Sequence, residues 1–152
     1  MAISMSRLFV LALALPASAC TMVEVKVWSD EGGVLEVSGA AVSDTCDIWQ
    51  SAGVMQTDCP VDATGGYASW SGSSATTGLY SIKAIPDANY TFAGWNGCDF
   101  TGTDGYITWK AYTSADGTIC NFDHGGNYGS YTLKLAQSEA LADIVAKFNA
   151  AP

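Results

Sequence analysis

His124 is the only histidine in this 152-residue chain, and a Ser-His-Asp hydrolase would have to use it as its base. It sits in Asn121-Phe122-Asp123-His124-Gly125-Gly126-Asn127, part of a Gly/Asn/Asp-rich stretch from Asn121 to Gly129 that reads as an exposed loop. No Gly-x-Ser-x-Gly elbow leads into a helix. Zinc needs three or four ligands, more than one histidine and paired cysteines supply. Fifteen Asp and Glu residues make some carboxylate pair inevitable, so a glycosidase pair has no distinguishing signal and the acids read as a solvated surface. We therefore assign no catalytic residue and no metal ligand. Calcium is the one cofactor with a case. Asp99-Phe100-Thr101-Gly102-Thr103-Asp104-Gly105 and the stretch from Asp116 to Asp123 put oxygen atoms in Gly-containing loops. The spacing Asp-x-Asp-x-Asp-Gly and a terminal bidentate Glu are both absent.

Aromatic residues are the other chemical lead. Trp49, Trp70, Tyr106, Trp109, Tyr112, Tyr128 and Tyr131 include several in loop-like contexts. Exposed rings stack on sugars, and Trp70, Tyr106, Trp109 and Tyr112 make the candidate ligand platform. The competing reading is that these rings fill a core poor in Leu and Ile, or stack along sheet faces.

Charge and cysteine count bound the setting. The formal net charge is -9, which argues against a nucleic-acid partner because a polyanion would be repelled. Residues 1–20 read MAISMSRLFVLALALPASAC. Arg7 precedes an apolar run from Leu8 to Leu15, Pro16 breaks it, and Ala17-Ser18-Ala19 has the small-x-small form of a cleavage site. The run is far too short to span about 30 Å of hydrocarbon. Residues 1–19 thus read as a signal peptide. Removing them from the 152 leaves 133 residues, and losing Arg7 takes the charge from -9 to -10. Two cleavages fit: an ordinary cut after Ala19, or a bacterial lipobox that leaves a lipidated Cys20. The lipobox usually has Leu where Ala17 stands. The cysteines are Cys20, Cys46, Cys59, Cys98 and Cys120, an odd number for an exported chain. Lipid on Cys20 would leave an even four, and its acyl chains would hold the protein on a membrane. If Cys20 carries no lipid, the protein is secreted.

These features must be positioned by β-structure. From Met22 the chain alternates with period two, which points Val23, Val25 and Val27 inward from a half-buried strand. Asp30-Glu31-Gly32-Gly33 is a turn signal, and Val34-Leu35-Glu36-Val37 is a second strand. Together they predict a hairpin. Tyr67–Trp70, Leu79–Ala84, Tyr90–Trp95, Tyr106–Tyr112, Tyr131–Leu135 and Ile144–Phe148 are further strand candidates. In the Tyr106–Tyr112 stretch, Tyr106, Thr108, Lys110 and Tyr112 share one face and Ile107, Trp109 and Ala111 the other. Pro86-Asp87-Ala88-Asn89 reads as a turn, and Ser138–Asp143 as one helical turn with Ser138 as a cap. The domain runs from residue 23 to 149, behind a tether of residues 20–22.

One stretch carries a family resemblance. Tyr80-Ser81-Ile82-Lys83-Ala84-Ile85-Pro86-Asp87-Ala88-Asn89-Tyr90-Thr91-Phe92-Ala93-Gly94-Trp95-Asn96-Gly97-Cys98 resembles the signature of bacterial repeat domains related to the internalin-type B repeat. Those domains carry a strand ending in Ala-x-Pro, a tight turn, an aromatic-x-Phe-x-Gly-Trp core and often a following cysteine. Val145-Ala146-Lys147-Phe148 is similar to their closing strand. The matching core signature is Ala84, Pro86, Tyr90, Phe92, Gly94, Trp95 and Phe148. Asn89 stands where the family usually has Gly, and Asn tolerates the left-handed backbone. Phe92 and Trp95 are three apart, and a bulge at Gly94 would turn Trp95 inward. The segments 46–59 and 98–120 are longer than the usual family insertions. The resemblance implies a small β-grasp-like mixed sheet in a cell-surface or secreted protein, with no catalysis. It also implies the pairing Cys46–Cys59 and Cys98–Cys120, one of three connectivities that four cysteines allow.

The sequence thus leads to a mainly β, at most α+β, fold of hairpins with long disulfide-braced loops. The functional expectation is an exported cell-envelope lipoprotein carrying a non-catalytic structural or interaction module. Its partners would be the membrane, through lipid, and a surface protein or glycan. A carbohydrate-binding module using the loop aromatics is the alternative, and a small hydrolase ranks third.

Overall fold

The computed structural model describes residues 21–39, 42–60, 66–73, 80–104, 107–125, 130–136 and 142–152. The expected signal peptide, Cys20 and Tyr106 lie outside them. The described residues form twelve strands and no helix. Five make one sheet: β1 (Thr21–Ser29), β5 (Gly66–Ser73), β7 (Tyr90–Asn96), β11 (Ser130–Ala136) and β12 (Ala142–Ala150), in the order β5-β11-β1-β12-β7. Its centre is parallel, with β1 between β11 and β12, while β5 and β7 join antiparallel at its edges. The other seven are β2 (Gly33–Gly39), β3 (Val42–Ser51), β4 (Val54–Thr57), β6 (Tyr80–Pro86), β8 (Thr101–Asp104), β9 (Ile107–Thr113) and β10 (Ile119–Gly125). They form a second sheet, ordered β4-β3-β2-β6-β10-β9-β8 and antiparallel throughout.

The two sheets share one hydrophobic core, so the architecture is a β-sandwich rather than the single β-grasp-like sheet expected. Val25 and Val27 of β1 and Ile144, Ala146 and Phe148 of β12 supply the five-stranded side. Leu35 and Val37 of β2, Ile48 of β3, Ile82 and Ala84 of β6, Trp109 of β9 and Phe122 of β10 supply the other. Alternation is clean where one face is buried and the other is wet, as along β2.

The expected hairpin of β1 and β2 is not formed, because the two strands lie in different sheets. Val25, Val27, Leu35 and Val37 are all fully buried. A hairpin would turn both apolar faces the same way; an arch across the core sets them facing each other. Residues 30–32 make that arch, and residues 87–89 make a second one from β6 back to β7. The arches are joined by a hydrogen bond from the Asp87 N–H to the Gly32 carbonyl at 2.9 Å. In the second arch Asn89 takes the left-handed backbone at φ 69°. At the foot of the first, a Cβ on Gly33 would fall inside the Phe148 ring, so the glycine is what lets the two sheets approach there.

Four other expectations change. Ala142 and Asp143, expected at the end of a helical turn, begin β12, and residues 137–141 lie outside the described residues. Asn121 to Gly125, expected as an exposed loop, are strand β10, with Phe122 buried; residues 126–129 lie outside the described residues. Thr21 and Met22, expected as tether, already pair with Tyr131 and Thr132 of β11. The segment 46–59, expected as a long loop, is mostly the β3–β4 hairpin, turning tightly at Ala52-Gly53.

Candidate functional site

Both disulfides form as the family resemblance implied: Cys46–Cys59 and Cys98–Cys120. The first joins β3 to the chain just beyond β4, where the Asp58 N–H also bonds the Asp47 carbonyl at 3.2 Å. The second ties the chain just beyond β7 to β10, and so links the two sheets. Two such bridges fit an oxidising environment.

The signature residues divide between core and surface. Ala84 and Phe148 are buried, whereas Pro86 is exposed and Tyr90 keeps 37% of its surface accessible. A Cβ on Gly32 would run into the Tyr90 ring, so Tyr90 closes over the first arch. Along β7, Lys147 pairs with Gly94 and Phe148 with Phe92, leaving Ala93 as the extra residue of a bulge. Gly94 takes φ 129° there. The bulge resets the pleat, so Phe92 and Trp95 meet edge-on at 5.4 Å between ring centroids and both pack against the core. Phe92 also tilts against Phe148 at 5.7 Å.

Two members of the expected aromatic platform, Trp109 and Tyr112, lie on opposite faces of β9. Trp109 is only 1% exposed, because the inward parity of β9 carries it into the core with Ala111. Tyr112 is on the opposite, outer face, with the Lys110 ammonium 5.7 Å from its ring centre. A buried ring and an outward one on opposite faces cannot stack on one sugar. Trp70 lies on β5 in the other sheet, paired with Leu133, and Tyr106 is outside the described residues. His124 is paired with Trp109 on β10.

The acidic loops also resolve into local structure. Asp116 accepts hydrogen bonds from the Ser114 hydroxyl at 2.6 Å, the Thr118 N–H at 3.1 Å and the Thr118 hydroxyl at 3.0 Å. The Ser114 bond, then those from Thr118, hold its carboxyl below the ordinary carboxylate range. All three bonds fall on one carboxylate oxygen, Oδ1. Among the described residues no group of three or more His, Cys, Asp and Glu is placed to hold a metal ion. Asp47 moves the other way: partial burial, then the charges of Asp58 and Glu36, raise its carboxyl above the ordinary range.

Among the described residues, an open polar cleft of about 410 Å³ is lined by Trp95, Asn96, Gly97, Cys98, Asp99 and Thr113. The end of β7 supplies Trp95 and Asn96, the crossing to β8 supplies the next three, and the end of β9 supplies Thr113. Its floor is held in several ways. Cys98 is bridged to Cys120. Gly97, at φ 81°, is pressed so closely on β12 that a Cβ would collide with the Asp143 carbonyl oxygen. The Thr113 hydroxyl reaches the Cys98 carbonyl at 3.5 Å, and the Ala111 N–H bonds the Phe100 carbonyl at 2.9 Å. Asn96 and Asp99 are exposed on the rim, and Trp95 is half-buried with its indole N–H shielded and unpartnered. Sequence reading missed Asn96 and Thr113. Asn96 adjoins the signature tryptophan, but nothing in the sequence ties Thr113 to it across the intervening chain.

A second cluster lies on the outer face of the five-stranded sheet. The ammonium groups of Lys26 and Lys147 stand 5.3 Å and 5.8 Å from the centre of the Trp28 ring. Lys147 also pairs with Asp30 at 3.1 Å. The ring is thereby engaged by cations of the chain itself.

Comparison with protein-family models, with curated proteins and with solved structures found no match.

Proposed function

We propose that the chain is exported and anchored to the bacterial cell envelope by lipid on Cys20, where its sandwich is a non-catalytic structural or interaction module. The observation that carries this reading is the thiol balance. The two bridges use Cys46, Cys59, Cys98 and Cys120, which leaves Cys20 as the odd cysteine, directly after a small-x-small cleavage pattern. The likeness of 80–98 to the bacterial repeat domains agrees with display outside the cell. The core position of Trp109 weighs against the rival platform of Trp70, Tyr106, Trp109 and Tyr112.

Mass spectrometry of the natively expressed protein tests the anchor. A diacylated N-terminal Cys20 is expected, and Cys20→Ser should move the protein from the membrane to the soluble fraction. A chain starting at an unmodified Cys20 would overturn lipidation, and one retaining Met1 in the cytosol would overturn export itself.

A further inference from the structure

We infer that the cleft between the end of β7 and the end of β9 is a binding site for a neutral saccharide. Its volume, about 410 Å³, falls in the range of small-ligand sites. Its lining is amphipathic in the way a pyranose is. Trp95 contributes an aromatic residue to the lining, and because its indole N–H is shielded that group offers the ligand no hydrogen bond. Hydrogen bonding falls to the Asn96 amide, the Asp99 carboxylate and the Thr113 hydroxyl. Together they donate and accept, as the hydroxyls of a sugar edge require.

Charge narrows the class. The lining holds one carboxylate and no cation, within a chain of net charge -9. A uronate or sulfated sugar would meet repulsion with nothing to neutralise it, whereas a neutral sugar can give its hydroxyl protons to Asp99. Rigidity also favours binding. The Cys98–Cys120 bridge and the tight contact of Gly97 on Asp143 fix the floor before a ligand arrives, which lowers the ordering cost. This site is distinct from the four aromatics first considered, and it stands whether or not Cys20 carries lipid.

The test uses the oxidised protein from residue 20 onward, isotope-labelled, titrated with the neutral disaccharides cellobiose, maltose and N,N′-diacetylchitobiose, and with a diuronate as the anionic control. We expect saturable amide shifts at Asn96, Gly97, Asp99 and Thr113 with at least one neutral disaccharide and none with the diuronate. Asp99→Ala and Asn96→Ala change exposed rim residues and should fold as the parent does. Loss of a bond to the charged Asp99 should weaken binding by about tenfold or more. Absence of saturable shifts with every neutral sugar, shifts confined to other residues, equal binding of the diuronate, or unchanged affinity in Asp99→Ala would each overturn the proposal. None of these outcomes bears on Cys20, so failure here and failure of the lipid anchor are separable.

Discussion

Gly97 and Gly117 form a matched pair that isolates one contact between the sheets. Both sit in turns at nearly the same left-handed backbone, φ 81° and φ 80°. Alanine at either position therefore meets the same conformational penalty, about 1–2 kcal/mol. The surroundings differ. A Cβ on Gly117 has nothing within 4 Å, whereas one on Gly97 collides with the Asp143 carbonyl oxygen and lies 3.1 Å from its carbon. These are backbone atoms of β12, a strand held on both sides by β1 and β7, so they have little freedom to withdraw. Overpacking of that kind costs about 1–3 kcal/mol. Gly97→Ala should thus lose about 1–3 kcal/mol more than Gly117→Ala, a total of about 2–5 kcal/mol. Urea unfolding of the two oxidised variants measures this, provided their m-values agree with the parent's. Equal losses in the two would refute the close seating of the β7–β8 crossing on β12, and with it the fixed floor of the cleft.

The bridges close chain separations of 13 and 22 residues, for which chain entropy gives about 2.9 and 3.4 kcal/mol. Cys46→Ala/Cys59→Ala and Cys98→Ala/Cys120→Ala should each lose stability of that order in denaturant unfolding, and non-reducing peptide maps should show no crossed pairs. Trp109→Ala should cost about 3–5 kcal/mol in thermal unfolding, and Tyr112→Ala less than about 1 kcal/mol; the reverse order would undo the assignment of inner and outer faces on β9. Acid titration should separate two aspartates. Asp116 has a lowered carboxyl, so its stabilisation is complete above the unfolded-state value and is lost as pH falls through the lower folded value. Asp116→Asn should therefore hurt most at neutral pH and least in acid. Asp47 has a raised carboxyl, so its destabilisation is present above the folded value and relieved as pH falls through it. Asp47→Asn should be most favourable near neutral pH, with that advantage shrinking in acid, and parallel pH profiles for the two variants would contradict both environments.

Where apolar alternation is strong, strand existence was legible, whereas strand partnership was not. Period-two alternation identified Val25 and Val27 as inward-facing, and both are buried. It could not say whether Leu35 and Val37 lie beside them in one sheet or opposite them in another, because both arrangements bury the same residues. Loop length does not decide either, since residues 30–32 serve an arch as readily as a hairpin. The same ambiguity hid β3 and β4, whose small and polar residues give weak alternation even though their pairing is regular from Ile48 to Ser51. The Gly94 bulge was legible for a physical reason: Phe92 and Trp95 fall on opposite faces of a regular strand, and only an extra residue brings them together. The β10 strand was misread because Asn121, Asp123 and Gly125 have loop-like composition, while its buried residues Cys120 and Phe122 make a short inward face.

The crossings between sheets explain why a ligand cleft would lie where it does. A crossing leaves both ladders, so its polar groups must find partners outside regular pairing. At one end of the sandwich the Asp30 N–H bonds the Ala146 carbonyl of β12, the Asp87 N–H the Gly32 carbonyl and the Tyr90 N–H the Asp87 carbonyl, and the Tyr90 ring closes over the first arch. The β7 strand carries the chain to the other end, where residues 97–100 cross back. There the backbone is fixed by a disulfide and by the contact with β12. The rim side chains Asn96 and Asp99 stay exposed beside a half-buried tryptophan. The Cys98–Cys120 bridge and the seating of Gly97 on β12 thus hold that crossing, and the exposed rim beside it, in a fixed shape.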